Sequence, residues 1–415
     1  MRKYASWMRE LEFLDNEDEI SQHVFYALLR RPHSAPICPR LVKLSWVADS
    51  VFGGDFVHFL SPQLREVHLA SRVGTQFSFA HAISTLPISS LEAFDLSVIG
   101  DRSVREAVSS LFRTCPKNLT TLKVTHMDQL CDGSWSNIMA LLPRLRNLDT
   151  DQFPPTLFPH SAPMFFPSLH QATFRGPAAP RWIHFLSENN GQKVPSDTKS
   201  RLRIIAPRLR LLYCDSDLEL DAAFVSRFRI FRNLCVLRIG GGCSREACAF
   251  SLTDEDVSRL AMQLPGLRHL ALGIVCPHNR CMTTVNSLLS LSTHCKDLHE
   301  LWIHFNTRNF ARDMKDSLHN AFRRTPSRCS LTILDVWLAP LTSEAMGGGE
   351  VFPTLIGLVD IFPKLQKIRH CSRSPPNPWG WQQLDAQIAN FQEMRNSLPA
   401  VFAQSIPGPQ DPRFT

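Results

Sequence analysis

The chain has 415 residues, of which 44% are apolar and 20% charged, so a large packed core is supported and global disorder is excluded. Its net charge of +7 comes from 45 basic and 38 acidic residues interleaved along the chain, and the linear order shows no basic concentration of the kind that marks a nucleic-acid binder. The start, Met1 to Trp7, has no apolar leader segment and turns acidic by Glu10. The longest apolar stretch, Val351 to Phe362, is broken by Pro353, Gly357 and Asp360, so neither a secretory leader nor a membrane span is expected.

Internal periodicity organises the chain. An apolar residue recurs at i, i+3 and i+5, commonly with a proline one to three residues upstream. The pattern opens with Met8/Leu11/Phe13 and becomes clear at Leu41/Leu44/Trp46, Leu64/Val67/Leu69, Leu91/Phe94/Leu96 and Leu119/Leu122/Val124. It continues through Leu145/Leu148/Thr150, Leu169/Ala172/Phe174, Leu209/Leu212/Cys214 and Leu234/Leu237/Ile239. Leu267/Leu270/Leu272, Leu298/Leu301/Ile303, Leu331/Leu334/Val336 and Leu365/Ile368 complete thirteen units. Residues i+3 and i+5 lie on the same side of a short strand and enter the core, while i+2, i+4 and i+6 point out.

Helix-period segments are predicted between strands, at Ile20–Arg30, Ser103–Cys115, Ser134–Leu142, Arg181–Ser187, Leu220–Phe231, Thr253–Leu264, Thr283–His294 and Phe310–Thr325. Thr253 with Asp254, Glu255 and Asp256 reads as an N-cap followed by an acidic first turn. "LP" and "CP" pairs, as at Leu142-Pro143 and Cys115-Pro116, end helices and launch the next strand. A single unit cannot bury both its strand and its helix face, but a stack can. The expected fold is therefore an α/β leucine-rich-repeat solenoid, a horseshoe or arc with parallel strands on the concave face and helices on the convex face. An N-terminal capping repeat is expected over 1–37, the solenoid over 38–371 with a loop insertion near 188–200, and a C-terminal cap with a disordered tail over 372–415.

These irregular repeats, each beginning "P-x-L-x-x-L-x-L" as in Cys38 to Trp46 and Leu60 to Leu69, resemble the repeat region of fungal F-box/leucine-rich-repeat proteins. Tyr4 to Phe13 is similar to the linker that follows the F-box there. The resemblance implies substrate recognition in an F-box type ubiquitin ligase pathway, with an unknown protein substrate on the concave face. It implies a cullin-ligase adaptor as partner only if an F-box precedes the chain, because the repeat pattern begins at Met8 and no F-box is found within it. The alternative is a repeat-only interaction scaffold with no ligase link.

Outward positions predict the binding face. They are acidic in the middle, at Asp95, Asp149 and Asp151, and carry Tyr213, Arg238, Trp302, His304 and Trp337 farther on. Aromatic residues and arginine are the types that most often anchor interfaces, so these positions form the expected protein-binding site. Trp302 and Trp337 could equally be covered by a C-terminal cap carrying Trp379 and Trp381. The twelve cysteines show no disulfide framework, which points to an intracellular protein, cytoplasmic or nuclear. Cys243 and Cys248 lie at the same offsets from their repeat leucine as Cys276 and Cys281, so stacking would bring together four potential zinc ligands. Buried packing residues are the simpler reading, and no metal or cofactor is expected. G-x-S-x-G, H-E-x-x-H, Walker A and G-x-G-x-x-G patterns are absent. The expectation is a receptor rather than an enzyme, with neither membrane nor nucleic acid as partner.

Overall fold

The structure is a computed structural model. It describes residues 7–14, 36–47, 55–71, 77–98, 102–113, 118–125, 144–151, 168–176, 178–188, 208–215, 222–240, 252–272, 282–304, 306, 310, 312–314, 327–336, 351–369 and 379–397. The helices predicted over Ile20–Arg30 and Ser134–Leu142, the insertion beyond Glu188, Trp337 and all four candidate zinc-ligand cysteines lie outside these residues. The chain divides into two compact units, Met1–Leu218 with Arg227–Gly241, and Glu219–Ser226 with Gly242–Thr415.

The first unit is a stack of parallel strands: β1 (Glu10–Leu14), β2 (Lys43–Val47), β3 (Glu66–Ser71), β4 (Ala93–Val98), β5 (Thr121–Thr125), β6 (Asn147–Thr150), β7 (Gln171–Arg175), β8 (Leu211–Asp215) and β9 (Val236–Gly240). Each pairs in parallel with the next. The second unit repeats the scheme with β10 (His269–Leu272), β11 (Glu300–Ile303), β12 (Ile333–Asp335) and β13 (Lys367–Arg369). Every predicted unit thus supplies one strand of a leucine-rich-repeat α/β stack. The register follows the sequence period, as Leu44, Val67, Phe94, Leu122, Leu148, Ala172, Leu212 and Leu237 are successive partners.

Two features of each repeat enforce that register. The leucine at i is at most 1% exposed in every unit from Leu41 to Leu365. In many repeats its N–H donates to the carbonyl three residues earlier, closing a turn with proline in second place, as in Leu41 to Cys38 (3.1 Å), Leu64 to Ser61 (3.1 Å) and Leu365 to Phe362 (3.0 Å). The carbonyl at i+1 then accepts two N–H groups from the following repeat. Val42 takes those of Arg65 and Glu66 at 2.8 and 3.0 Å, and Arg65 takes those of Glu92 and Ala93 at 2.8 and 3.0 Å. The same fork recurs at Thr120, Arg146, His170 and Arg210 in the first unit and at Arg268, His299 and Thr332 in the second.

Helices pack behind the strands: α1 (Phe77–Ser84), α2 (Arg102–Arg113) and α3 (Ala178–Glu188) in the first unit, and α4 (Ala222–Ser226), α5 (Asp254–Gln263), α6 (Val285–His294), α7 (Val351–Ile361) and α8 (Trp379–Ser397) in the second. Gly176, at φ 54°, makes the left-handed turn from β7 into α3, where Trp182 stacks on Phe174 at 5.0 Å. Trp46 fills the first repeats, stacked on Phe13 at 4.1 Å and tilted against Phe59 at 5.6 Å. Thr253 caps α5 as its sequence suggests, in a reciprocal box with Asp256. The neighbouring Asp254 carboxylate accepts from the Thr284 N–H (2.6 Å), the Thr284 hydroxyl (2.6 Å) and the Ser287 hydroxyl (2.5 Å), tying the first turns of α5 and α6 together where both helix dipoles favour negative charge.

The last strand is closed off by α8. Asp385 Oδ1 accepts the Ile368 N–H at 2.6 Å, and Gln392 donates to the carbonyls of Pro363 and Leu365 at 3.3 and 3.1 Å. Trp381 is buried against Phe310, 5.6 Å away. This satisfies an edge that would otherwise template pairing with another chain. No helix among the described residues is long and apolar enough to cross a membrane.

Leu122→Ala is expected to cost about 2–5 kcal/mol, measured by urea unfolding. Hydrogen-exchange protection should drop in β4 and β6 as well as β5, because each repeat is stabilised by its neighbours. Asp385→Ala leaves the Ile368 N–H without its acceptor and should cost about 1–3 kcal/mol, with increased self-association by light scattering. Asp385→Asn keeps an acceptor and should behave nearly as the parent.

Candidate functional site: the outward face of the strands

The register that buries i+3 and i+5 also arrays the outward residues in rows. In the first unit the i+4 row runs Ser45, His68, Asp95, Lys123, Asp149, Thr173, Tyr213 and Arg238, each beside the next on adjacent strands. Side chains about 5 Å apart across a ladder interact directly, and here they pair by charge. His68 Nδ1 and Lys123 Nζ both approach Asp95 Oδ2, at 2.7 and 3.0 Å. Burial alone would raise the Asp95 pKa, but the hydrogen bonds and charges of His68 and Lys123 outweigh it and hold the carboxyl below its ordinary value.

Asp149 receives a two-pronged bond from Arg175, Nε to Oδ1 at 2.9 Å and Nη2 to Oδ2 at 3.0 Å, the geometry that makes guanidinium–carboxylate pairs strong. Asp215 lies 3.8 Å from the same guanidinium. The hydrogen bond to Asp149 and the charges of Asp149, Asp215 and Asp151 raise the Arg175 pKa against the effect of burial. The row expected to be acidic is therefore a mixed-charge lattice: Asp95 and Asp149 are each held by cations, and Asp151 belongs to the carboxylate set around Arg175. Polar pairs extend the lattice, with Thr125 donating to Ser97 and Asn147 to Thr121, both at 3.0 Å. Tyr213 is half-buried next to the exposed Arg238.

In the second unit the face centres on Glu300. Its Oε1 accepts from the Trp302 indole N–H and from Arg369 Nη1, both at 2.9 Å, and its Oε2 lies 3.3 Å from His269 Nδ1. Arg369 sits two strands away, and Asp335, its neighbour in register, also adjoins Trp302. Burial would raise the Glu300 pKa, but the bonds from Trp302 and His269 and the charges of Arg369 and His269 bring it below normal. Trp302 is thereby fixed half-buried at an outward strand position, beside the buried Asp335. His304, expected outward, is instead buried at 5% exposure, and burial lowers its pKa. It follows the last residue of β11, where in–out alternation no longer applies, and its carbonyl accepts the Thr283 hydroxyl at 2.8 Å.

Tyr213, Arg238, Asp149 and Asp151 thus belong to the first unit, and Trp302 and His304 to the second. Arg175, Glu300 and Arg369 organise the two faces, though nothing in their own sequence neighbourhoods marks them out. Opposite charges at equal or next-but-one offsets in neighbouring repeats are the signal that points to them. Among the described residues no group of acidic, histidine and cysteine side chains is arranged to hold a metal ion.

No protein-family model matches the chain, and no curated protein matches it. Among solved structures it is similar to a chain from yeast, in a crystal structure of a Rad7 and Elc1 complex. The identity is 15% and the TM-score 0.38, over 83% of this chain and 79% of that one.

The depressed pKa of Asp95 has a measurable consequence. Its pairing with His68 and Lys123 stabilises the fold fully above the ordinary carboxyl value of 3.8, and that contribution disappears as pH falls through the lower folded-state value. Asp95→Asn should flatten the acid limb of the stability–pH curve below about pH 4, read as chemical-denaturation midpoints across pH. An acid limb identical to the parent's would refute the pairing.

Proposed function

We propose that this chain is a protein-binding repeat receptor that holds its partner on the outward strand faces and serves as the substrate-recognition part of an F-box type ubiquitin ligase pathway. The carrying observation is the Glu300 centre, which holds a half-buried indole at an outward strand position and ties Arg369 to the same carboxylate. Interface anchors are drawn disproportionately from tryptophan, tyrosine and arginine, and anchors held in place before binding lose less entropy on association. In the first unit Tyr213 beside Arg238, with Asp149 and Asp151 around Arg175, offers a second anchor set. Trp337 is included on sequence grounds. The ligase connection comes from the resemblance carried by the repeat motifs.

A receptor accounts for this face better than an enzyme does. Ser45, His68 and Asp95 stand in register in the order of a hydrolase triad, but no hydrogen bond joins the Ser45 hydroxyl to the His68 imidazole, and Lys123 shares the carboxylate. Nucleophile activation requires that bond.

Trp302→Ala should weaken partner capture by roughly tenfold or more without lowering the melting temperature. The measurement is quantitative mass spectrometry of proteins retained by the tagged chain and its variant; identical retention would reject the face as the site. Co-isolation of a cullin-ligase adaptor supports the ligase role, and recovery of other partners without it leaves the repeat-only scaffold.

A further inference from the structure

The residues flanking each repeat leucine, at i−1 and i+1, form an edge of their own at the start of the strands. That neighbouring i+1 side chains meet there is shown by Arg65 and Glu92, paired at 3.1 Å from consecutive repeats. The backbone forks place Arg146, His170 and Arg210 in the same relation on the three repeats of β6, β7 and β8. Arg144 and Arg208 occupy i−1 in the outer two of these repeats. All five side chains are exposed.

No carboxylate stands at i−1 or i+1 in any of the three repeats, and among the described residues none pairs with Arg144, Arg146 or Arg210. The pair Arg144 and Arg146 is distant in sequence from the pair Arg208 and Arg210, and it is the fold that brings the two pairs within three strands of one another. The far ends of the same strands carry Asp149, Asp151 and Asp215 around Arg175. These three repeats are therefore polarised along their strands, positive where they begin and richer in carboxylates where they end.

We infer that this leading edge binds a carboxylate-rich peptide segment of a protein partner. The inference deepens the receptor reading and rests on it. Four of the five groups are guanidinium, the side chain suited to two-pronged carboxylate recognition. Three strands span about 10 Å, which about three residues of extended peptide cover. A nucleic acid fits less well. Its interfaces are several times larger, no tryptophan, tyrosine or phenylalanine stands at these positions to offer a broad base-stacking platform, and a continuing polyanion would run toward the carboxylates at the strand ends. A short acidic segment ends before reaching them.

The test uses the intact chain with a short fluorescent glutamate-rich peptide and, separately, fluorescent oligouridylate, both read by anisotropy. The peptide should bind in a salt-sensitive manner. The double variant Arg146→Gln/Arg210→Gln should weaken it by roughly a hundredfold, about tenfold per arginine, with an unchanged melting curve. Arg65→Gln, whose charge Glu92 already answers, should leave peptide affinity intact. Absence of peptide binding, equal binding by the double variant, or tighter oligouridylate binding through the same arginines would each overturn the inference. A protein partner lost with Trp302→Ala but kept by the double variant would overturn it too, while leaving the receptor reading in place.

Discussion

One carbonyl per repeat sets the geometry of everything else. At i+1 it accepts two N–H groups from the following repeat, so the next strand can begin at only one height. The buried leucine immediately before it fixes which side of the strand faces the core. With those two points pinned, a slip of a single residue would turn an entire apolar set outward. Variation between strands in length and sequence is therefore tolerated, since each repeat needs to satisfy only its neighbours. The helices can be long, as in α8, or a single turn, as in α4, while the strands stay aligned.

The same pinning explains why the outward faces are ordered. Because i+4 lies beside i+4, a histidine, an aspartate and a lysine one repeat apart from each other meet as His68, Asp95 and Lys123. Glu300 meets His269 in register on the adjacent strand, and gathers Trp302 from its own strand and Arg369 from two strands away. Such a lattice adds little stability where it is solvated. Its effect is to limit the rotamers of the side chains a partner would meet, so less ordering remains to be done when binding occurs.

The strands could be read from the sequence because their signal is local and repeated: Leu44 and Trp46, or Leu301 and Ile303, mark inward positions without help from distant residues. The helices were less legible. Val351–Ile361 is apolar almost throughout and contains Pro353 and Gly357, yet it forms α7, because a proline within the first turn removes no intrahelical hydrogen bond. Trp379–Ser397 follows a proline-rich stretch, and its packing against the last strand decides its state. The outward residues followed from parity, but their pairing did not, since it depends on what the adjacent repeat supplies. His304 shows where parity ends, one residue past the strand. The leading-edge arginines lie before the strand and outside the alternating set, which is why a chain with interleaved charges folds into one with a concentrated basic edge.

The cross-strand pairs also constrain how such a surface can change over generations. Replacing Arg175 alone would leave Asp149 without its two-pronged donor; replacing Asp149 alone would leave the guanidinium facing only the looser contact with Asp215. A tolerated route to a new face runs through matched substitutions in neighbouring repeats, or through duplication of a repeat together with the one it answers. Diversity on this surface should therefore be inherited in adjacent pairs, so two-site covariation at an offset of about one repeat would be its genealogical signature.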